Sequence, residues 1–136
     1  MPTPFQHVGN FHHKFGLYSV THDGVKQQNV PDDLVMFRLK FLEEELRELK
    51  EAYENDDLIQ VADSLVDLEY VTLGTAHLHG FPYPQLFAEV QRANMEKERC
   101  IRQQDSSRGS TWDVIKPAGW RPPNIRGVLL GAGFKV

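Results

Sequence analysis

Two stretches decide the fold of this 136-residue chain: Asp32–Glu54, DDLVMFRLKFLEEELRELKEAYE, and Leu58–His79, LIQVADSLVDLEYVTLGTAHLH. In the first, Val35, Leu39, Leu42, Leu46, Leu49 and Tyr53 recur at alternating spacings of four and three, the period of an amphipathic helix. Pro31 followed by Asp32 and Asp33 opens it well, with anionic side chains at the positive end of the helix dipole. Asn55-Asp56-Asp57 breaks the pattern. The second stretch is apolar around most of its circumference, which predicts a helix with an interior place.

Working outward, Phe5, Val8, Phe11 or His12, and Phe15 predict a short amphipathic helix ending near Gly16. Ser19–Val30 reads as a loop, because Asp23-Gly24 favours a turn and a residue before proline avoids the helical region. Beyond the turn Gly80-Phe81-Pro82-Tyr83-Pro84, a third long helix is expected from Gln85 to about Arg102, with Leu86, Phe87 and Val90 on one face. From Gln104 onward Ser, Gly, Pro and Trp dominate and no helical period remains. The expectation is therefore an all-α antiparallel bundle in a single domain over 1–136, made of an N-terminal helix and loop (1–30), the main helices (31–103) and an irregular tail (104–136). Its size suffices for a core without disulfides or a structural metal. The single Cys100 excludes an intramolecular disulfide and a multi-cysteine zinc site. The apolar runs are short or broken by charge and the start MPTPFQHVGN has no signal-peptide pattern, so a cytoplasmic protein without membrane attachment is expected.

Charge is divided unevenly along the chain. Asp32–Glu69 holds 13 acidic residues against four basic ones, a bias that attracts cations, whereas Arg92–Arg126 holds eight basic against four acidic, a bias suited to phosphate. At about 100° per residue, Glu45 and Glu48 lie beside the leucine stripe, and Arg38, Phe41 and Ala52 share their flank. On the next helix Gln60, Asp63, Asp67, Tyr70 and Gly74 form one polar seam. Two aspartates one turn apart repel unless a cation lies between them or one keeps a proton. Carboxylates on two facing helices, with no His or Cys among them, make a hard oxygen-donor set suited to Mg²⁺ or Mn²⁺. A solvated glutamate run and a pair of capped structural aspartates are the alternatives. The six histidines offer no better set and read as structural or surface residues. Asn94 and Lys97 fall on the Val90 side of the third helix, where the Lys stem can snorkel but the amide needs partners.

Together these residues resemble the all-α nucleoside triphosphate pyrophosphohydrolases of the MazG-like superfamily. Glu44-Glu45-Leu46-Arg47-Glu48 matches the family's Glu-Glu-x-x-Glu. The likeness to phage and bacterial members extends through FRLKFLEEELRELKEA, VADSLVDLEYVTLGTAHLHGFP, LFAEVQRANMEKERC and the tail WDVIKPAGWRPPN. It implies a dimer or tetramer holding two or more Mg²⁺ or Mn²⁺ ions through Glu45, Glu48, Asp63 and Asp67, and conversion of a (d)NTP to the monophosphate and pyrophosphate. One of Glu44, Glu45 and Glu48 would accept the proton of the attacking water. The implied substrate contacts are Arg38, then Asn94 and Lys97, which match the family's Asn-x-x-Lys, and Lys116, Trp120 and Arg121 in the tail. A purine, and among purines guanine, is the implied base, and neither stable nucleic-acid binding nor a membrane is implied. Trp120 with Pro122-Pro123 equally suits a purely structural tail anchor.

The family's second half, Glu-x-x-Asp, is altered. With Asp67 as its aspartate, Ser64 stands in the Glu position and Asp63 supplies the missing carboxylate; with Asp63 as its aspartate, the Glu has become Gln60. The first register is preferred, because Asp67 precedes the Leu-x-Tyr-Val run that resembles the family's helix continuation. Two readings from other classes remain: a catalytically impaired nucleotide sensor, and a helical oligomerisation module with an incidental acidic patch.

Overall fold

The computed structural model describes residues 1–17 and 30–136. The loop expected over Ser19–Val30 lies, apart from Val30, outside the described residues. The chain forms two compact units, Met1–Phe81 with Gly133–Lys135, and Pro82–Ala132 with Val136. Among the described residues there are five α-helices and one pair of two-residue strands, so the all-α class holds. No helix among them is long and apolar enough to cross a membrane.

The first unit is built from α1 (Pro4–Lys14), α2 (Asp32–Glu54) and α3 (Leu58–His79), with α1 and α2 both packed on α3. A reciprocal cap starts α1: Thr3 Oγ1 accepts from the Gln6 amide at 3.2 Å while Gln6 Oε1 accepts from the Thr3 amide at 2.8 Å. Between α2 and α3 the chain turns within Asn55-Asp56-Asp57, where Asp56 takes a left-handed φ of 52° that Asp tolerates better than most residues. Asp57 then caps α3 by accepting from the Gln60 amide at 3.0 Å, and Gly80, left-handed at φ 66°, ends it.

The buried face of α2 differs from the one its leucines predict. Arg38, Glu45 and Ala52, seven residues apart, face inward, while Leu39, Leu46 (57% exposed) and Tyr53 face out. Nor is α3 interior all round: it buries Val61, Ser64, Val71, Leu73, Gly74, Ala76 and Leu78, yet leaves Leu58, Ile59 (86% exposed), Leu65 and Val66 open. Two helices packed on α3 cover one side of it only. At Gly74 the backbone runs so close to its neighbours that a Cβ would stand 2.5 Å from both Arg38 Nη2 and His12 Nε2.

The second unit comprises α4 (Tyr83–Met95), β1 (Glu98–Arg99), a 3₁₀ turn (Gln103–Asp105), β2 (Val114–Ile115) and α5 (Ile125–Gly131). The third long helix therefore ends well before Arg102. Glu98 and Arg99 pair antiparallel with Ile115 and Val114, and the Cys100 amide donates to the Asp113 carbonyl at 3.0 Å. That ladder, made with residues far along the chain, outcompetes the local helical preference. The tail is more ordered than its composition suggests. Trp120 Nε1 donates to the Ala93 carbonyl at 2.7 Å, and Arg92 joins Glu89 and Glu96, both at 2.9 Å, to the Pro122 carbonyl at 3.1 Å. Asn124 caps α5 by accepting from the Gly127 amide at 2.9 Å.

Candidate active site

Glu45 sits on the inward flank of α2 because the helix turns the flank carrying Arg38, Glu45 and Ala52, rather than Leu39 and Leu46, inward. It is only 8% exposed, and its Oε2 is buried without a hydrogen-bond partner, a rare and costly state for a carboxylate oxygen. Burial, then the negative charges of Glu48 and Asp67, a hydrogen bond shared with Glu48, and the charge of Glu44 hold its carboxyl above the usual range. Across the helix pair, burial pushes the Asp67 carboxyl up, and the charge of Asp63 and a hydrogen bond with Asp63 push it further. The site is therefore two carboxyl pairs, Glu45 with Glu48 and Asp63 with Asp67, which feel each other through Asp67 and Glu45.

None of these four acids takes part in the ion pairs among the described residues. Nor do any three His, Cys, Asp or Glu side chains among the described residues close around one ion position. The chemistry of the donors nevertheless fits a hard divalent cation. They are carboxylate oxygens from two packed helices, mutually repelling, with one buried oxygen left over. Glu44 is exposed beside them.

Gln60 and Ser64 occupy the altered half of the motif. Ser64 is fully buried and accepts from Gln60 Nε2 at 3.1 Å, while the same amide reaches Asp63 Oδ2 at 3.4 Å. Gln60 thus steers Asp63 by hydrogen bonding, and Ser64 spends its position on packing.

The other expected site residues are distributed as follows. Arg38 is buried in the first unit, where Nη2 donates to the Val71 carbonyl at 2.8 Å and Nε to Thr75 Oγ1 at 3.1 Å; its fork is spent largely on α3. His12 and His77 are structural, as expected: His12 Nδ1 donates to the Leu17 carbonyl at 2.6 Å, and His77 stacks on Phe5 with ring centres 3.8 Å apart. In the second unit Asn94 is exposed at the end of α4, against the expectation of an enclosed amide, and Lys97 lies beyond the helix. Lys97 and Lys116 both approach the Trp120 ring, at 5.3 and 4.9 Å from its centre. Arg121 is exposed, 3.6 Å from Glu96. Beside the two lysines Ser107 and Arg108 line a cleft that residue patterns in the sequence do not single out; the basic bias of Arg92–Arg126 is the one signal pointing there.

A sequence model of the family described as phosphoribosyl-ATP pyrophosphohydrolase matches residues 10–94, which is more than half of the chain and includes every carboxylate of the site. No curated protein matches the chain.

Proposed function

On the premise that this chain belongs to the phosphoribosyl-ATP pyrophosphohydrolase family, and so is a nucleotide pyrophosphohydrolase, we propose that it hydrolyses a (d)NTP to the monophosphate and pyrophosphate with two or more Mg²⁺ or Mn²⁺ ions. The observation that carries the reading is the orphaned Glu45 Oε2 among four like-charged carboxyl groups. A stable fold tolerates such an arrangement at a cost, and a bound cation removes that cost.

Glu45, Glu48, Asp63 and Asp67 would hold the metal. When bound, it neutralises the phosphate chain and acidifies a water. The chain's own residues do the rest. Whichever carboxylate of Glu44, Glu45 and Glu48 is least committed accepts a proton from the water as its oxygen bonds to the α-phosphorus. The bond from that phosphorus to the α,β-bridging oxygen breaks, pyrophosphate leaves, and the proton returns to solvent. Guanine is the proposed base, dGTP or GTP the proposed substrate. The exposed Leu39, Leu46, Leu58, Ile59, Leu65 and Val66 support a homodimer or tetramer, since that many large apolar side chains on one unit are the mark of an interaction surface.

Product chromatography over dGTP, dATP, dCTP, dTTP and phosphoribosyl-ATP, with Mg²⁺ or Mn²⁺ and with EDTA, tests the reading. Metal-dependent release of pyrophosphate from dGTP ahead of the others is expected. Release of orthophosphate first, or turnover confined to phosphoribosyl-ATP, overturns it.

A further inference from the structure

Of the three helices of the first unit, α1 alone carries no acid: PFQHVGNFHHK holds His7, His12, His13 and Lys14 and neither Asp nor Glu. Little apolar surface holds it on α3, for Val8 and His12 are its only buried residues. Phe5 stacks on His77, whose Nε2 donates to the Phe5 carbonyl at 2.7 Å, and Phe11 meets the Tyr70 ring edge-on at 5.4 Å. The two helices come closest at the two histidines. A Cβ at Gly9 would stand 2.7 Å from His77 Cε1, and one at Gly74 would stand 2.5 Å from both His12 Nε2 and Arg38 Nη2. Neither point has room for a methyl group.

The ionisable groups that face His12 share one sign. From α2 comes Arg38, crowded with it onto Gly74, and from α3 comes His77, its ring centre 6.0 Å away. No carboxylate among the described residues offsets them. The Nδ1 proton is already committed to the Leu17 carbonyl at 2.6 Å, so a further proton must enter at Nε2, against the Arg38 guanidinium and out of water. Like charges repel strongly there. Burial first, then Arg38 and His77, hold the His12 pKa below the usual histidine value. Undocking α1 returns the ring to water and relieves the conflict. An isolated helix of this length is marginal in water, so the undocked segment does not stay helical.

We infer that α1 is an acid-released clasp: it docks on α3 while the His12 ring is neutral, and protonation of that ring beside Arg38 and His77 drives it off. Release withdraws Val8 and the Phe5 ring and uncovers α3 around Gly74 and His77, while α2 and α3 stay packed on each other. The clasp is independent of the proposed reaction.

The test is amide hydrogen exchange of the full chain in EDTA, read by mass spectrometry at pH 7.5, 6.5 and 5.5 and corrected for the intrinsic rate at each. Protection of the amides of 7–14 should fall about five- to tenfold across that range, the limit set by one histidine with an unfolded pKa of about 6.5. Protection of 42–54 in α2 should change less than about twofold. His12→Gln keeps a donor for the Leu17 carbonyl but takes up no proton, and should shrink the fall to under about twofold. His7→Gln, at an exposed position, should leave it as in the wild type. Imidazole ¹⁵N spectra of the wild type give a readout that needs no variant: the charged His12 ring should appear only in step with the loss of α1 protection. Unchanged α1 protection, equal losses in α1 and α2, a full fall retained in folded His12→Gln, or a charged His12 ring with α1 still protected overturns the clasp.

Discussion

The acids clustered between α2 and α3 in the first unit and those that meet arginines in the second are treated in opposite ways. In the second unit Glu89, Glu96, Asp105 and Asp113 each meet an arginine; Arg92, then the Asn124 amide, hold the Glu89 carboxyl below its usual range, and hydrogen bonds from Ser106 and the Val114 amide, then Arg108, do the same for Asp113. In the first unit Glu45 and Asp67 meet other acids, and both carboxyls are pushed up. Partnered acids tie a tail rich in Gly and Pro to α4. Unpartnered acids on two packed helices cost stability in the free chain, and under the proposed function a bound cation would offset that cost.

The largest effect that sharpens this contrast is in catalysis. Glu45→Gln and Glu48→Gln should each lower metal-dependent turnover by at least about 10²-fold, the order expected when a metal or proton-accepting carboxylate is lost. The stability change in EDTA should run the other way. An acid whose folded pKa is raised is a liability above the usual carboxylate range, so Glu45→Gln should raise the melting point at pH 7, and the gain should fade as the pH falls and wild-type Glu45 takes up a proton. Glu89→Gln, which breaks a partnered acid, should lower it. A melting point lowered equally by both substitutions, or full turnover in Glu48→Gln, would break the contrast.

Next in size is the choice of register on α3. Asp63 and Asp67 lie one turn apart, Asp63 pushes the Asp67 carboxyl up and Gln60 donates toward Asp63, so Asp63→Ala and Asp67→Ala should abolish turnover to a similar extent, while Gln60→Ala should cost under about tenfold, as for a residue that orients a ligand. If Gln60 and Asp63 prove critical and Asp67 dispensable in kcat, the other register holds.

Local patterns carried the fold further than its faces. The boundaries of α2 and α3 read directly from periodicity and from the Asn55-Asp56-Asp57 break, and the spacing that aligns Glu45 with Glu48 and Asp63 with Asp67 is plain in the residues. The buried face of α2 is not, because hydrophobic periodicity marks every face that leaves water and does not distinguish α3 from a further partner; Arg38 and Glu45 face α3, and Leu46 does not. The end of α4 was hidden for a different reason. Glu96–Arg102 is locally compatible with a helix, and only its pairing with Val114–Ile115 ends it. For α5 the signal was present in Asn124, a good cap, ahead of Ile125, Val128 and Leu129, but Gly127 and Gly131 obscure it.

The smallest expected effect extends the contrast from acids to bases. In the first unit Arg38 donates to Thr75 and to the Val71 carbonyl and enters none of the described ion pairs, and His12 lies beside it over Gly74. The Leu17 carbonyl can only accept, so His12 Nδ1 carries the proton and Nε2 is bare. Burial first, then the charges of Arg38 and His77, lower the His12 pKa, and the bond to Leu17 opposes them only in part. A histidine whose folded pKa is depressed contributes no penalty above the unfolded value of about 6.5, where it is neutral in both states. Below that value the unfolded chain binds a proton that the folded chain refuses, so stability falls as the pH drops from there to the folded pKa. Raised acids such as Glu45 act in the opposite sense, which is why the comparison must be with a variant lacking only this group. Melting points of wild type and His12→Gln, taken from pH 7.5 to 5.5, should converge as the pH falls, with the wild type losing its advantage by a few degrees, about 1 kcal/mol in a domain of this size. A difference that is constant across the range would show that His12 takes up its proton as readily folded as unfolded.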